Sequence, residues 1–164
     1  MIYKIYNGHM PTTAAIAKVT TGTAVKTMMQ LQAAALNTFK VKGWGIDFDG
    51  IAAATPIECE LIETGTVAAT VTAYVAADIY PYENATGEAS ILQLGTTASG
   101  FTSTGEGTIT VSRVADYRLV APTNQYNYDW VLGNEFQVAK GAVCRVRVTA
   151  AAAVNAVCYM IIEQ

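Results

Sequence analysis

Residues 144–164 read CRVRVTAAAAVNAVCYMIIEQ, and their pattern sets the fold class. Cys144, Val146 and Val148 alternate with Arg145, Arg147 and Thr149, the period-two signature of a strand with one apolar and one solvated face. After the alanine run 150–153 the segment 154–164 is apolar on both parities, which predicts a strand buried on both sides or laid against another subunit. Alanine favours helix. Between two such strands, however, a run of four is read as a tight antiparallel turn.

The same test finds strands throughout the chain. Ile57, Cys59 and Leu61 alternate with Glu58 and Glu60, and 67–75 is rich in Val, Thr and Tyr, residues that suit a pleated surface. Thr108 opens a run expected to reach Val120 and to stop at Pro122. Phe39 and Val41 lie on one parity and Trp44, Ile46 and Phe48 on the other, so a β-bulge at Gly43 would return all five to one face. The stretch 24–31 fits helix or strand and is assigned to strand by its neighbours. Tyr126, Tyr128 and Trp130 mark another strand, and Phe136 and Val138 a short one. Eight to ten strands at this spacing, without long helical periodicity, predict an all-β antiparallel sandwich or jelly roll. One domain spans 14–164, with a long loop at about 76–107 whose tract GTTASGFTSTGEG is small and polar. Residues 1–13 are expected to be an extended N-terminal arm.

Composition narrows the function. Of 164 residues, 52% are hydrophobic and 14% charged, too apolar for intrinsic disorder. The net charge is −3 and the ten Lys and Arg are scattered, which disfavours nucleic acid as a partner. The most apolar uncharged windows, 64–77 and 149–162, are shorter than a spanning helix, so no membrane role is expected. MIYKIYNGHMPTT lacks an apolar signal-peptide core. Cys59, Cys144 and Cys158 sit within apolar alternation and are expected to be buried thiols, consistent with synthesis in a reducing cytoplasm. With His9 as the single histidine and no Cys-x-x-Cys, neither a zinc site nor a histidine relay is expected. The sequence carries no Walker loop and no G-x-G-x-x-G. The chain is read as a non-enzyme with no catalytic residues, no cofactor and no metal.

Several local patterns have bland readings that outweigh their functional ones. Asp47-Phe48-Asp49-Gly50 resembles the start of a calcium loop but lacks its later ligands, and is read as a turn after a strand. Glu58 and Glu60 share a strand face and Glu63 follows, a solvated row rather than the paired carboxylates of a glycosidase. The glycines at 100, 105 and 107 are read as loop rather than phosphate cradle. Asn84-Ala85-Thr86 matches a glycosylation acceptor by chance. Tyr80, Tyr82, Tyr126, Tyr128 and Trp130 could serve core, interface or sugar platform, because each ring has an apolar body and a polar tip.

The segments VTTGTAVKTMMQ, GWGIDFDG, TPIECELIETGTVAATVTA, EGTIT and RVRVTAAAAVNAVCYMIIEQ, taken in order from about Ala17 to the C-terminus, resemble a family of small structural proteins of tailed phages and prophages of actinobacteria. That family resembles capsid decoration, or cement, proteins. The resemblance implies a β-sandwich on the outer face of an icosahedral shell, trimeric at threefold and quasi-threefold positions where capsid subunits meet. The implied partners are the major capsid protein and further copies of the chain as a homotrimer. The implied location is the virion surface, after synthesis in the host cytoplasm. Within that reading Ile2, Tyr3, Ile5 and Tyr6 are capsid-contact candidates, by strand addition of the arm. Tyr126, Tyr128, Trp130, Val157, Tyr159 and Ile161 are oligomer-interface candidates. The competing reading is a carbohydrate-binding or host-adhesion module on the virion.

Overall fold

The structure, a computed structural model, describes residues 1–52, 54–84 and 86–164. Ala53 and Ala85 lie outside it, and with Ala85 the Asn84-Ala85-Thr86 triplet as a unit. Among the described residues twelve strands form: β1 (Ile2–Tyr6), β2 (Val19–Thr20), β3 (Lys26–Gln32), β4 (Phe39–Phe48), β5 (Ile57–Glu63), β6 (Thr70–Ala73), β7 (Gly100–Gly105), β8 (Arg113–Val120), β9 (Gln125–Asp129), β10 (Phe136–Val138), β11 (Val143–Thr149) and β12 (Asn155–Glu163). Sheet 1 runs β1-β12-β4-β10, with β2 also on β12 and β9 also on β4; sheet 2 runs β6-β7-β3-β11-β5-β8. All named ladders are antiparallel. The core lies between the sheets: Tyr3, Ile5, Trp44, Ile46, Cys158, Met160 and Ile162 from sheet 1 pack with Met29, Leu31, Cys59, Leu61, Cys144, Val146 and Val148 from sheet 2. The chain is an all-β antiparallel sandwich.

Alternation places the deciding segment. Cys144, Val146 and Val148 of β11 are buried in the core, and Arg145 and Arg147 point out of sheet 2. In β12, Ala156, Cys158, Met160 and Ile162 point inward, while Val157, Tyr159 and Ile161 are half-buried on the opposite face. The strand is therefore covered on one face rather than both, although it sits centrally, between β1 and β4.

The parity flip in β4 is resolved by a bulge. Ile161 pairs with Gly43 and Ile162 with Val41, which leaves Lys42 as the extra residue and turns Phe39, Val41, Trp44, Ile46 and Phe48 all to the core. The glycine at 45 has a packing reason. The Tyr159 ring lies over it, and an added Cβ would stand 2.7 Å from a ring carbon. Gly45→Ala is expected to cost about 1–3 kcal/mol, the range for overpacking a tight site. A thermal melt of the purified variant checks this.

Three expectations need correction. The first residues are not a free arm. β1 pairs with β12 along its whole length, from Ile2 opposite Glu163 to Tyr6 opposite Tyr159. Asn7 prolongs that ladder through its side chain, accepting from the Cys158 N–H, and Asp78 holds both His9 Nδ1 (2.7 Å) and the Met10 N–H (2.8 Å). The stretch 76–107 is not one open loop. It holds a 3-10 turn at Ala76–Asp78 and all of β7, and between them the described residues of 79–99 are strapped across β1 and β3. Pro81 bridges to Tyr3, the Tyr82 N–H donates to Ile2, and the Gln93 N–H donates to Gln32. Finally, 108–112 precedes the ladder, and β8 starts at Arg113. The cysteines are reduced and buried, and burial pushes the Cys59 thiol up to about 12 and raises the other two as well.

Candidate interaction surface

The outer face of sheet 1 gathers more of the candidate residues than any other surface. Alternation in β12 puts Val157, Tyr159 and Ile161 there, and the same alternation in β1 adds Ile2, Lys4 and Tyr6, all half-buried. Tyr3 and Ile5 face the other way and are 1% and 0% exposed, so as core residues they touch no partner. Gly43 and Gly45 keep the centre of the face low. Side chains from flanking strands lie across them: Asp129 over Gly43, and Asn127 with Tyr159 over Gly45. The Tyr159 hydroxyl donates to Asn127 Oδ1 at 2.9 Å. Lys4 Nζ sits 4.1 Å above the Tyr159 ring and 5.4 Å from that of Tyr6. Tyr159 is thus held between a glycine and an ammonium group, which leaves a flat, rigid surface but no open ring face for a sugar to stack on.

The other aromatic candidates go elsewhere. Tyr126 turns inward at the open side between β8 and β9, where its hydroxyl donates to Asp116 Oδ2 at 2.7 Å and accepts from Arg118 Nε at 2.7 Å. Trp44 Nε1 donates to the same carboxylate oxygen at 3.2 Å. Burial and the Asp116 carboxylate push the Tyr126 phenol above its ordinary value. Further along this seam, Arg113 stacks on Phe136 and binds Glu63 Oε2 and the Gln137 carbonyl. The seam ties the sheets together and is structural.

Tyr128, Trp130 and Phe136 form an edge-on and stacked aromatic row beneath the β9–β10 connection. At the tip of that connection Val131 and Leu132 are 74% and 84% exposed. Sequence reasoning passed over this apolar pair; its signal is a Val-Leu-Gly turn directly after an aromatic strand. Glu135 anchors the hairpin, accepting from Lys42 Nζ (3.0 Å) and the Gly133 N–H (3.0 Å). These donors hold the Glu135 carboxyl at about 2, below its ordinary 4.5. A depressed acid stabilises the fold above its unfolded pKa and ceases to do so as pH falls through the folded one. Its stabilising contribution is therefore expected to be full at pH 5 and to shrink as pH falls from about 4.5, while the carboxyl in the folded chain itself protonates only near about 2. Carboxyl chemical shifts followed by NMR across that window check the prediction.

Tyr80 and Tyr82, half to two-thirds exposed, lie on the strap rather than beside the other aromatics. The remaining patterns resolve locally. Asp49 is paired with Lys18 at 2.6 Å, while Asp47 points out of sheet 1, its carboxyl raised by burial. Glu60 is paired with Arg147, and Glu63 turns to the seam, so the three glutamates do not share one face. The glycine tract forms β7. Its neighbour Glu106 accepts from the Thr27 N–H (2.7 Å) and hydroxyl (2.6 Å) and from Ser103, and lies 3.4 Å from Arg145 Nη1. The chain matches no family model, no curated protein and no solved structure.

Proposed function

We propose that this chain is a phage capsid decoration protein. It binds the outer face of an icosahedral shell across major capsid protein boundaries, as a homotrimer, and acts through area of contact rather than through reactive groups. The observation that carries the reading is the outer face of sheet 1. Val157, Tyr159, Ile161, Ile2 and Tyr6 share one flat, half-exposed surface whose low centre is made by two glycines and whose rings are fixed in place. A preorganised face of this kind loses little side-chain freedom on docking. Its mixture of apolar side chains with Lys4, Lys42 and Glu163 suits a non-obligate interface. The sequence resemblance to actinophage structural proteins supplies the class of partner.

On this reading the protein stays on the virion and its work is mechanical. Internal pressure separates capsid subunits, and a clamp across their boundary adds area that must be exposed first. Three tethered contacts leave together far more slowly than one. The contact is made by the sheet face, with β1 already part of the domain, and not by strand addition of a loose arm.

The test is binding to expanded, undecorated shells. The wild type is expected to co-sediment at saturating occupancy. Val157→Glu with Ile161→Glu, both at half-buried surface positions, is expected to lower affinity by tenfold or more, because two charges would be desolvated in the contact. Equal occupancy of wild type and variant would show that another surface makes the contact. Glycan binding by a protein that ignores shells would favour the adhesion reading instead.

A further inference from the structure

Three of the four sheet edges are short or covered. β1 has Pro81 and Tyr82 against it, and the Val71 N–H of the four-residue β6 donates to Thr96. The far edge of sheet 1 is shared by β9 and β10, of five and three residues. β8 differs. It is eight residues long, among the described residues it pairs only with β5, and Val114, Tyr117 and Leu119 are 52%, 47% and 64% exposed. An uncovered edge of that length is a template for another strand.

We propose that β8 pairs antiparallel with β8 of a second copy about a twofold axis at Tyr117, joining the two copies of sheet 2 into one continuous sheet. Symmetry and charge fix the register. The axis of a self-paired strand stands perpendicular to the sheet, so each residue meets one on its own face and the axis passes through a residue position. An axis at Asp116 would set two carboxylates opposite each other, and an axis at Arg118 two guanidinium groups. An axis at Leu119 runs the pairing into Pro122, which has no N–H to give, and an axis at Ala115 sets 110–112, which precede β8, against Arg118, Leu119 and Val120. At Tyr117 alone, Asp116 of each copy faces Arg118 of the other, twice over. The tyrosines meet on the outer face, and Leu119 lies opposite Ala115.

Arg118 is 47% exposed, with its Nε engaged by Tyr126 and Asp116 of its own chain. Asp116 Oδ1 accepts from the Tyr117 N–H at 2.9 Å, a bond within the chain that pairing at Tyr117 exchanges for one to the second copy. One strand pair is smaller than a standard interface, so the association is weak and reversible in dilute solution. The pairing uses sheet 2 and needs no shell, and so it stands or falls independently of the capsid reading.

Disulfide trapping tests the register. Directly opposite residues have Cα atoms about 4.5–5.5 Å apart, inside the disulfide window, whereas two Leu119 positions would be about 13 Å apart. The native cysteines are fully buried and do not compete. Under mild oxidation, Tyr117→Cys is expected to form a covalent dimer roughly tenfold faster than Leu119→Cys, whose thiols are out of reach. Adding Arg118→Asp to Tyr117→Cys, which sets carboxylates face to face, is expected to slow trapping by a similar factor, roughly tenfold. Circular dichroism establishes that each variant is folded. As a measurement without substitutions, wild-type amide shifts in 114–120 are expected to move on dilution. Equal trapping at 117 and 119, indifference to Arg118→Asp, or amide shifts independent of concentration would each overturn the proposal.

Discussion

Deletion of residues 1–6 is expected to abolish cooperative folding, not merely to weaken a contact. Tyr3 and Ile5 are 1% and 0% exposed, in the middle of the core, and β1 is a full-length ladder partner of β12. Truncating a buried aromatic typically costs about 3–5 kcal/mol and a buried isoleucine about 2–5 kcal/mol. Together these approach the whole stability of a domain, roughly 5–15 kcal/mol. The deletion also strips β12 of its neighbour and frees the strap, since Tyr82 donates to Ile2 and the Tyr3 hydroxyl donates to the Glu88 carbonyl. By contrast Lys4→Ala, on the outer face, should stay within about 0.5 kcal/mol of wild type. Chemical denaturation followed by circular dichroism separates the two. A truncated chain that unfolds in one sharp transition near the wild-type midpoint would show that β1 is dispensable. Loss of shell binding after such a deletion would therefore report unfolding, and point substitutions at Ile2 or Tyr6 are the informative ones.

The second large effect is at Glu106. Arg145 is fully buried on the outer side of sheet 2, where Nη1 donates to the Glu106 carbonyl at 2.9 Å, Nη2 to the Val67 carbonyl, and its charge is met by the Glu106 carboxylate. Burial lowers the Arg145 pKa, with Glu106 pulling it back. Glu106→Ala leaves a buried cation without its counter-charge and also removes the acceptor for Thr27 and Ser103. The expected cost is about 3 kcal/mol, the low end of the range for breaking a buried pair, since the Glu106 side chain keeps 24% exposure. For a domain of this size that is a fall in Tm of roughly 6–12 °C. Arg145→Met combined with Glu106→Gln removes both charges together and is expected to cost less than Glu106→Ala alone. The Arg145 Nε has no hydrogen-bond partner among the described residues, so little bonding is forfeited there. Equal destabilisation by the double variant and by Glu106→Ala would mean that Arg145 contributes packing and hydrogen bonds rather than an uncompensated charge.

Legibility in the sequence followed the range of the interactions. The bulge in β4 could be read to within one residue, at Gly43 where Lys42 is the extra residue, because a parity flip is a local event, and β11 because its alternation is complete. β1 carried a readable alternation as well, but its partner lies some 150 residues away, and the Gly8-His9-Met10-Pro11 break concealed that pairing. β7 was hidden because GFTSTG has almost no apolar side chains; it is a strand because β3 and β6 flank it, not because of its own propensity. The converse holds at 108–112, where strand-forming residues lie outside any ladder. Arg145 looked solvent-facing by alternation and is instead roofed by 67–69 and Glu106, a contact no periodicity encodes. Among the candidate residues, Val157, Tyr159 and Ile161 were found by alternation and do share a face, whereas Tyr126 was pulled inward by Asp116, a partner on the other sheet.

The most direct test of the central claim is the temperature at which DNA-filled shells rupture, measured bare, with wild-type protein at saturation, and with the Val157→Glu and Ile161→Glu variant. The account predicts that wild-type decoration raises the rupture temperature and that the increment disappears with the variant. Full wild-type occupancy with an unchanged rupture temperature would contradict it.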